Sequence, residues 1–390
     1  MKRFSFGRML LTLLTAGFLF FYAVLILFYY TQWKKAENYQ PATLPPSVFV
    51  SVLIAARNEE QTLPLIINDL IAQDYPAQLW EAIIVNDYST DGTAALASAI
   101  RASNIKMILP AVPPTESSKK RAIETAVNEA GGELILITDA DCRVGHKWIS
   151  TAAAFYKEKE AAFIAAPVKF SHNNSLLQIF QSLDFITLQG ITAASVSANF
   201  HAMCNGANLA YTKAAFKSVN GFKGIDKVAT GDDMLLMHKI WKAHPQKVFY
   251  LKSSEAIVST EPMNSWKDFF MQRKRWASKT LVYDDYRIIA VLIFVLLLNV
   301  LFFILLVAAF FNKMYWMHFA SFLIGKTIIE WPFVSSVARF YGEQKLMRYF
   351  LLFQPLHAFY TVFVGLLSQF GKYEWKGRSH SPLPPVGELR

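Results

Sequence analysis

A chain of 390 residues that is 53% hydrophobic and only 17% charged is too apolar for an ordinary soluble enzyme and too polar for a pure membrane bundle. Its formal charge of +10, with no separate basic tail or RNA-binding signature, points to the cytoplasmic face of a membrane before nucleic acid. Two cysteines, Cys142 and Cys204, make neither a disulfide framework nor a cysteine-based metal site.

Residues 9–30 carry no charge and are long enough to span a bilayer. They are too long for a signal-peptide core, and no small-residue cleavage site follows, so an uncleaved anchor is expected. A proline-containing linker completes a first region, residues 1–46. The next region, 47–285, changes character. VFVSVLIAA is a β-branched apolar run and reads as a buried strand. EEQTLPLIINDLIAQ has helical spacing, and WEAIIVND is a second strand ending in Asp87. STDGTAALASAIRA opens with N-cap residues and runs on as a helix. IKMILP is a third strand, SSKKRAIETAVNEAGG a helix stopped by a glycine pair, ELILITDAD a fourth strand and AAFIAAPV a fifth. This alternation predicts an α/β domain with a mostly parallel sheet covered on both faces. Ligands of such sheets bind beyond the carboxyl ends of the strands. Asp87 and the pair Asp139 and Asp141 stand at such ends and are expected to line one cleft.

Residues 286–371 return to a membrane pattern. Candidate spans cover 288–311, 317–337 and 350–370, the second containing His318, Lys326 and Glu330. Residues 372–390 form a polar, proline-rich tail. Lys2, Arg3 and Arg8 favour a cytoplasmic N-terminus, while Lys34 and Lys35 favour the opposite orientation of the first span.

The chemistry gathers in a few short segments. Two carboxylates at a strand end repel each other unless a cation sits between them. Asp139 and Asp141 therefore form a candidate site for a hard divalent ion such as Mg²⁺ or Mn²⁺, the plain alternative being a solvated turn. Asp87 can accept hydrogen bonds from a base or ribose. Glu59 ends the first strand at the same sheet edge, where a helix-start acid is the plainer reading. Lys119 opens a helix, where a cation is less favoured, so a phosphate partner competes with a solvated side chain. Asp232 and Asp233 precede an apolar helix; either can cap it, and either can serve as general base on an acceptor hydroxyl. Gln272, Arg275 and Trp276 fall within about one helical turn. They offer a phosphate fork and a stacking face, or an interfacial helix before a membrane span.

In this order the segments resemble the membrane-integrated family 2 glycosyltransferases, the group of cellulose, chitin, hyaluronan and poly-N-acetylglucosamine synthases and of lipid glycosyltransferases. The resemblance covers about Val48 to Trp276 and extends into the flanking helices. It implies a GT-A fold, a nucleotide-sugar donor (usually UDP-linked), a divalent metal and inversion at the anomeric carbon. Carried over by position, Glu59 and Asp87 would contact the nucleotide, Lys119 the donor diphosphate, Asp139 the nucleotide end and Asp141 the metal. The family's Thr-Glu-Asp supplies the base through its Asp. Here the segment reads Thr230-Gly231-Asp232-Asp233, and counting to Lys239 aligns Asp233 with the base, with Asp232 as the alternative. Gln272, Arg275 and Trp276 match the motif that holds diphosphate and acceptor. Cys204 to Tyr211 resembles the acceptor-side segment, and WKGR in the tail recurs in relatives. The implied activity is hexosyl transfer to a lipid, lipid-linked or saccharide acceptor in cell-envelope synthesis. The enzyme would sit in the plasma (inner) membrane as a multi-pass protein with its catalytic domain cytoplasmic. About four candidate spans favour single transfer over a processive polysaccharide synthase, which often carries more. A non-catalytic scaffold conflicts with the full set of catalytic residue types. A transporter, raised by Lys326 and Glu330, conflicts with the large α/β module.

Overall fold

The computed structural model describes residues 2–41, 45–110, 118–201, 203–226, 231–278, 285–367, 373–375 and 378–380. Helix α1 (Lys2–Lys35) leads into β1 (Val50–Ala56), α2 (Leu63–Ile71), β2 (Trp80–Asn86), β3 (Ile105–Ile108), α3 (Ser118–Glu129), β4 (Leu134–Ile137) and the two-residue β5 (Cys142–Arg143). Then follow α4 (Trp148–Lys159), β6 (Phe163–Ala165), β7 (Val168–Phe170), α5 (Leu176–Ser197), β8 (Leu209–Thr212), α6 (Lys213–Ser218), α7 (Met234–Ala243), β9 (Val248–Tyr250), β10 (Val258–Thr260) and α8 (Trp266–Ala277). Three long helices, α9 (Tyr286–Phe311), α10 (Tyr315–Phe340) and α11 (Phe350–Leu367), precede a hairpin of β11 (Tyr373–Trp375) and β12 (Arg378–His380).

Seven strands form one sheet in the order β3-β2-β1-β4-β8-β6-β9. The first four are mutually parallel and β8 runs antiparallel to both its neighbours. Alternate side chains go to opposite faces, as the period of a strand dictates. Leu53, Ile83 and Ile135 join the core under α3 and α5, whereas Val52, Ile84 and Leu136 join the core under α2 and α4. The expected fifth strand over residues 161–168 appears as two short pieces, β6 and β7, which pair into different sheets. The expected helix after Ser89 is a 3₁₀ segment, Gly92–Ala99. Its Asp91 cap is tied to the amide and hydroxyl of Thr93 at 3.0 and 2.6 Å, a tight local geometry that suits the narrower turn.

Helix α5, 22 residues long and buried on nearly every side, has no counterpart in the expected elements. Polar residues such as Gln178, Gln181, Asp184 and Gln189 are buried along with the apolar ones, so it shows no solvent-facing polar side for a periodicity argument to find. At Gly190 a Cβ would lie 2.5 Å from Val337 Cγ2, so glycine is what lets α5 approach α10 there.

Among the described residues, three segments are long and apolar enough to cross a membrane: Met9–Lys35, Tyr286–Phe311 and Gln344–Leu367. Helix α10 covers the remaining expected span but is not among them. It is packed by α1, α5, α9 and α11, and its Lys326, Thr327 and Glu330 are buried. Lys326 Nζ lies 2.6 Å from both Glu330 Oε1 and Gln354 Oε1, and Tyr22 donates to Glu330. A helix surrounded by protein need not be as apolar as one facing lipid. At the end of α1, Lys252 Nζ donates to the carbonyls of Trp33 and Ala36 at 2.8 Å and sits 4.0 Å over the Trp33 ring, locking the anchor to the domain.

Candidate active site

Strand β4 delivers the acids. Its LILI run is wholly buried. The chain then turns, with the Cys142 amide donating to Asp139 O at 3.2 Å, and releases Asp139 and Asp141 at the carboxyl edge of the sheet. From the first turn of α3, Lys119 Nζ reaches Asp139 Oδ1 at 2.8 Å and Asp232 Oδ2 at 3.2 Å. Burial works against this ammonium, but Asp139, Asp232 and Asp233 outweigh it and hold its pKa well above the ordinary lysine value.

Asp232 and Asp233 are presented by Gly231, whose φ of +80° is a left-handed conformation that suits glycine. Asp233 caps α7: its Oδ1 accepts the Met234 amide at 2.7 Å, and its Oδ2 accepts the Gly206 amide at 3.1 Å. That second bond joins it to the Cys204–Tyr211 segment. The segment itself is clamped by buried Asn208, which accepts from Trp148 Nε1 at 3.0 Å and donates to the carbonyls of Pro167 and Ala256 at 2.8 and 2.7 Å. Thr230, the first residue of the expected motif, lies outside the described residues.

Helix α8 brings Gln272, Arg275 and Trp276 to the same space. A residue that sequence reasoning passed over sets its rotation. Arg273, 4% exposed, pairs with buried Asp184 of α5 at 2.8 Å, and Tyr360 of α11 donates to the same carboxylate. The Arg273 guanidinium also lies 4.3 Å over the Trp276 ring, which rests 5.8 Å from Phe185. The only sequence signal for Arg273 is a third cation within QRKRW, indistinguishable there from a solvated one.

Lys119, Asp139, Asp141, Asp232, Asp233, Gln272, Arg275 and Trp276 all line one cavity of about 1290 Å³. The cavity continues between the helices past Tyr22 and Ile26 of α1, Ile289 to Leu296 of α9, and Gln354 to Val364 of α11. Asp87 and Glu59 are not in the wall of this cavity. Both are buried, at 4% and 8% exposure. Their loops fold inward: Arg57 Nη1 donates to the carbonyls of Asp87 and Tyr88, and Glu59 accepts from Thr62 and donates its amide to Thr93. They follow the carboxyl ends of β1 and β2, in the same sheet as β4, whose carboxyl end releases Asp139 and Asp141.

The donor set suits a hard divalent cation. Ligand atoms of Asp139, Asp141 and Cys142 lie within 4.8 Å of one another. The two carboxylates are hard oxygen ligands. Cys142, set aside in the sequence, is 1% exposed, and burial, then Asp139 and Asp141, push its thiol well above the usual range. A soft, protonated thiol is a poor partner for Mg²⁺ or Mn²⁺. Asp139 already carries Lys119 at 2.8 Å, whereas Asp141 is exposed.

Residues 51–216 match the family model described as Glycosyl transferase family 2, and residues 134–334 match Glycosyl transferase family group 2. The chain is 26% identical over 238 residues to the probable glycosyltransferase YdaM of Bacillus subtilis, covering 58% of this chain and 54% of that protein. It is 35% identical over 127 residues to the dolichyl-phosphate β-glucosyltransferase ALG5D of Trichomonas vaginalis, covering 29% of this chain and 37% of the relative. It is 27% identical over 132 residues to the β-monoglucosyldiacylglycerol synthase of Nostoc sp., covering 33% and 28%. The match thus spans about half or less of these relatives' lengths. Among solved structures, the mannosyltransferase PcManGT from Pyrobaculum calidifontis, in complex with GDP-Man and Mn²⁺, superposes with a TM-score of 0.51 at 14% identity, covering 93% of this chain and 98% of that one. That likeness is one of fold.

Proposed function

Because this chain belongs to the family 2 glycosyltransferases and carries a GT-A domain flanked by apolar helices, we propose that it is a membrane-bound inverting glycosyltransferase. Its donor is a nucleotide sugar, UDP-linked, and its acceptor is a lipid, lipid-linked or saccharide hydroxyl. The observation that carries this reading is the single cavity that joins the acid and lysine cluster to the interior of the helix bundle. Two relatives act, by name, on lipids, which supports the same reading.

In the proposed reaction Asp233 takes the proton of the acceptor hydroxyl as that oxygen attacks the anomeric carbon. The amides of Met234 and Gly206 orient its carboxylate. Lys119 and Arg275 face the departing diphosphate, and Gln272, whose Oε1 is buried without a hydrogen-bond partner among the described residues, is poised for acceptor or donor. Trp276, braced by Arg273 and Phe185, forms a wall of the acceptor path. Glu59 and Asp87 are assigned to the nucleotide through the sheet edge they share with Asp139. Asp141 with Asp139 would hold a divalent ion, which when bound would supply charge neutralisation for the diphosphate.

The module is assigned to the cytoplasmic side, where nucleotide sugars are supplied, in a multi-pass protein of the plasma (inner) membrane. The test uses the purified full chain in lipid nanodiscs with a panel of UDP-sugars and Mn²⁺ or Mg²⁺. Release of UDP from one donor, lost on chelation, is the expected result. No release from any donor, with lipid extract present as acceptor, overturns the reading.

A further inference from the structure

Helix α1 packs along α10 and α5, and α9 packs along α10 and α11. Between α1 and α9 themselves, aromatic rings meet at two levels. Deep in the bundle Phe18 of α1 stacks on Phe294 of α9, with ring centroids 5.8 Å apart. Near the catalytic domain Phe28 of α1 lies edge-on to Phe200 at 5.1 Å, and the Arg287 guanidinium at the start of α9 lies 6.0 Å over the same Phe200 ring. At the α-helical rise, the stretch from Phe18 to Phe28 separates these two latches by about 15 Å.

Between the latches both helices face the large cavity, through Tyr22, Leu25 and Ile26 of α1 and Ile289, Leu292 and Ile293 of α9. Leu292 and Ile293 are also 42% and 52% exposed, so the same side chains belong to the cavity wall and to the outer surface. The cavity therefore opens sideways at this seam. The outer surface beside it is apolar, with Phe21, Val24 and Leu27 of α1 exposed. The opening lies toward the Lys35 end of the segment Met9–Lys35, the end that Lys252 ties to the domain, so it faces the leaflet on the catalytic side.

What reaches an opening at this depth comes from the bilayer. A free saccharide would leave its hydroxyls without water there, whereas a hydrocarbon chain loses nothing. The cavity, at about 1290 Å³, is larger than a drug-sized ligand fills and has room for a chain as well as a head. We infer that the gap between α1 and α9 is a lipid portal. A membrane lipid enters sideways, its hydrocarbon lies against Leu25 and Leu292, and its head extends toward the acid cluster. The chemistry selected is the long hydrocarbon chain, with either a hydroxyl or a phosphate head carrying the attacking oxygen. The inference rests on the transferase reading above and narrows its acceptor to one held in the bilayer.

The test uses the full chain in phosphatidylcholine nanodiscs with Mn²⁺ and the UDP-sugar panel. A diacylglycerol and a phosphatidic acid with the same diazirine-bearing chain are added in separate arms and illuminated, and adducts are mapped by mass spectrometry. Adducts on Tyr22 or Tyr29, which are buried on the cavity wall, are expected in at least one arm. Adducts confined in both arms to outer residues such as Phe21 and Leu27 overturn the inference. UDP release and sugar label in the lipid extract are then read with dioleoylglycerol and with dioleoyl phosphatidic acid. Leu292→Trp fills the gap and is expected to lower lipid-borne label per UDP released by about tenfold. Val307→Trp, at an exposed position of α9 outside the cavity wall, is expected to keep the parent ratio. Equal ratios in the two variants, or UDP release with label on neither lipid, overturn the inference and leave the transferase reading standing. No UDP release in any arm, with adducts on Tyr22 or Tyr29 present, defeats the transferase reading and leaves the portal.

Discussion

Asp232 holds Lys119 at 3.2 Å, whereas Asp233 is oriented by two backbone amides beside the acceptor-side segment. A carboxylate neutralised by a lysine is a weak base, which favours Asp233 for proton removal. Asp233→Asn removes the proposed base and little volume. It is expected to lower single-turnover transfer by about 10²–10⁴-fold with UDP affinity nearly unchanged. The opposite pattern, activity kept in Asp233→Asn and lost in Asp232→Asn, would move the base by one residue. At the metal site the softness and burial of Cys142 predict that Cys142→Ser keeps metal-stimulated UDP release, while Asp141→Asn loses it. Titrating Mn²⁺ against UDP release in the two variants separates them. The residue types of this site are legible in the sequence. The division of work between adjacent aspartates is not, because it depends on which of them Lys119, 113 positions or more away in the chain, can reach.

Among the elements, α8 shows how a buried ion pair sets a helix's phase. With Arg273 turned to Asp184 on α5, Trp276 stands one turn on and under the Arg273 guanidinium, and Gln272, Arg275 and Trp276 line the cavity. Truncating one partner leaves an uncompensated buried charge, so Asp184→Ala is expected to cost about 3–5 kcal/mol. The drop in detergent-solubilised melting temperature should be smaller in the double variant Asp184→Leu with Arg273→Met, which removes both charges. Gly190→Val places carbon where Val337 already lies, and is expected to loosen α5 from α10 by about 1–3 kcal/mol, read in the same thermal assay. The strands were foreseeable because a short β-branched apolar run is a local signal. Helix α5 was not, since a helix buried on all sides differs from a solvent-facing one only in what surrounds it.

For the whole molecule, the anchor is part of the domain. Tyr29 and Trp33 are each 1% exposed, Trp33 Nε1 donates to Ser336 of α10 at 3.1 Å, and Lys252 binds the carbonyls of Trp33 and Ala36 at the end of α1. Deleting residues 1–36 strips that surface and opens the cavity wall at Tyr22 and Ile26. The expected result is aggregated protein on size exclusion in a detergent that keeps the full chain monodisperse. The three apolar segments predict that the full chain stays in the membrane pellet after alkaline carbonate extraction; release into the supernatant would count against spanning. By itself the sequence determined the parallel strand–helix layers, the order of the acidic and QRKRW segments and the three most apolar helices, because each is written in patterns a few residues long. Only the tertiary structure decided that Glu59 and Asp87 lie outside the large cavity, that Asp184 answers Arg273, and that the acids open onto the interior of the helix bundle. Each of those is a contact between segments far apart in the chain, set by packing and by the pairing of buried charge.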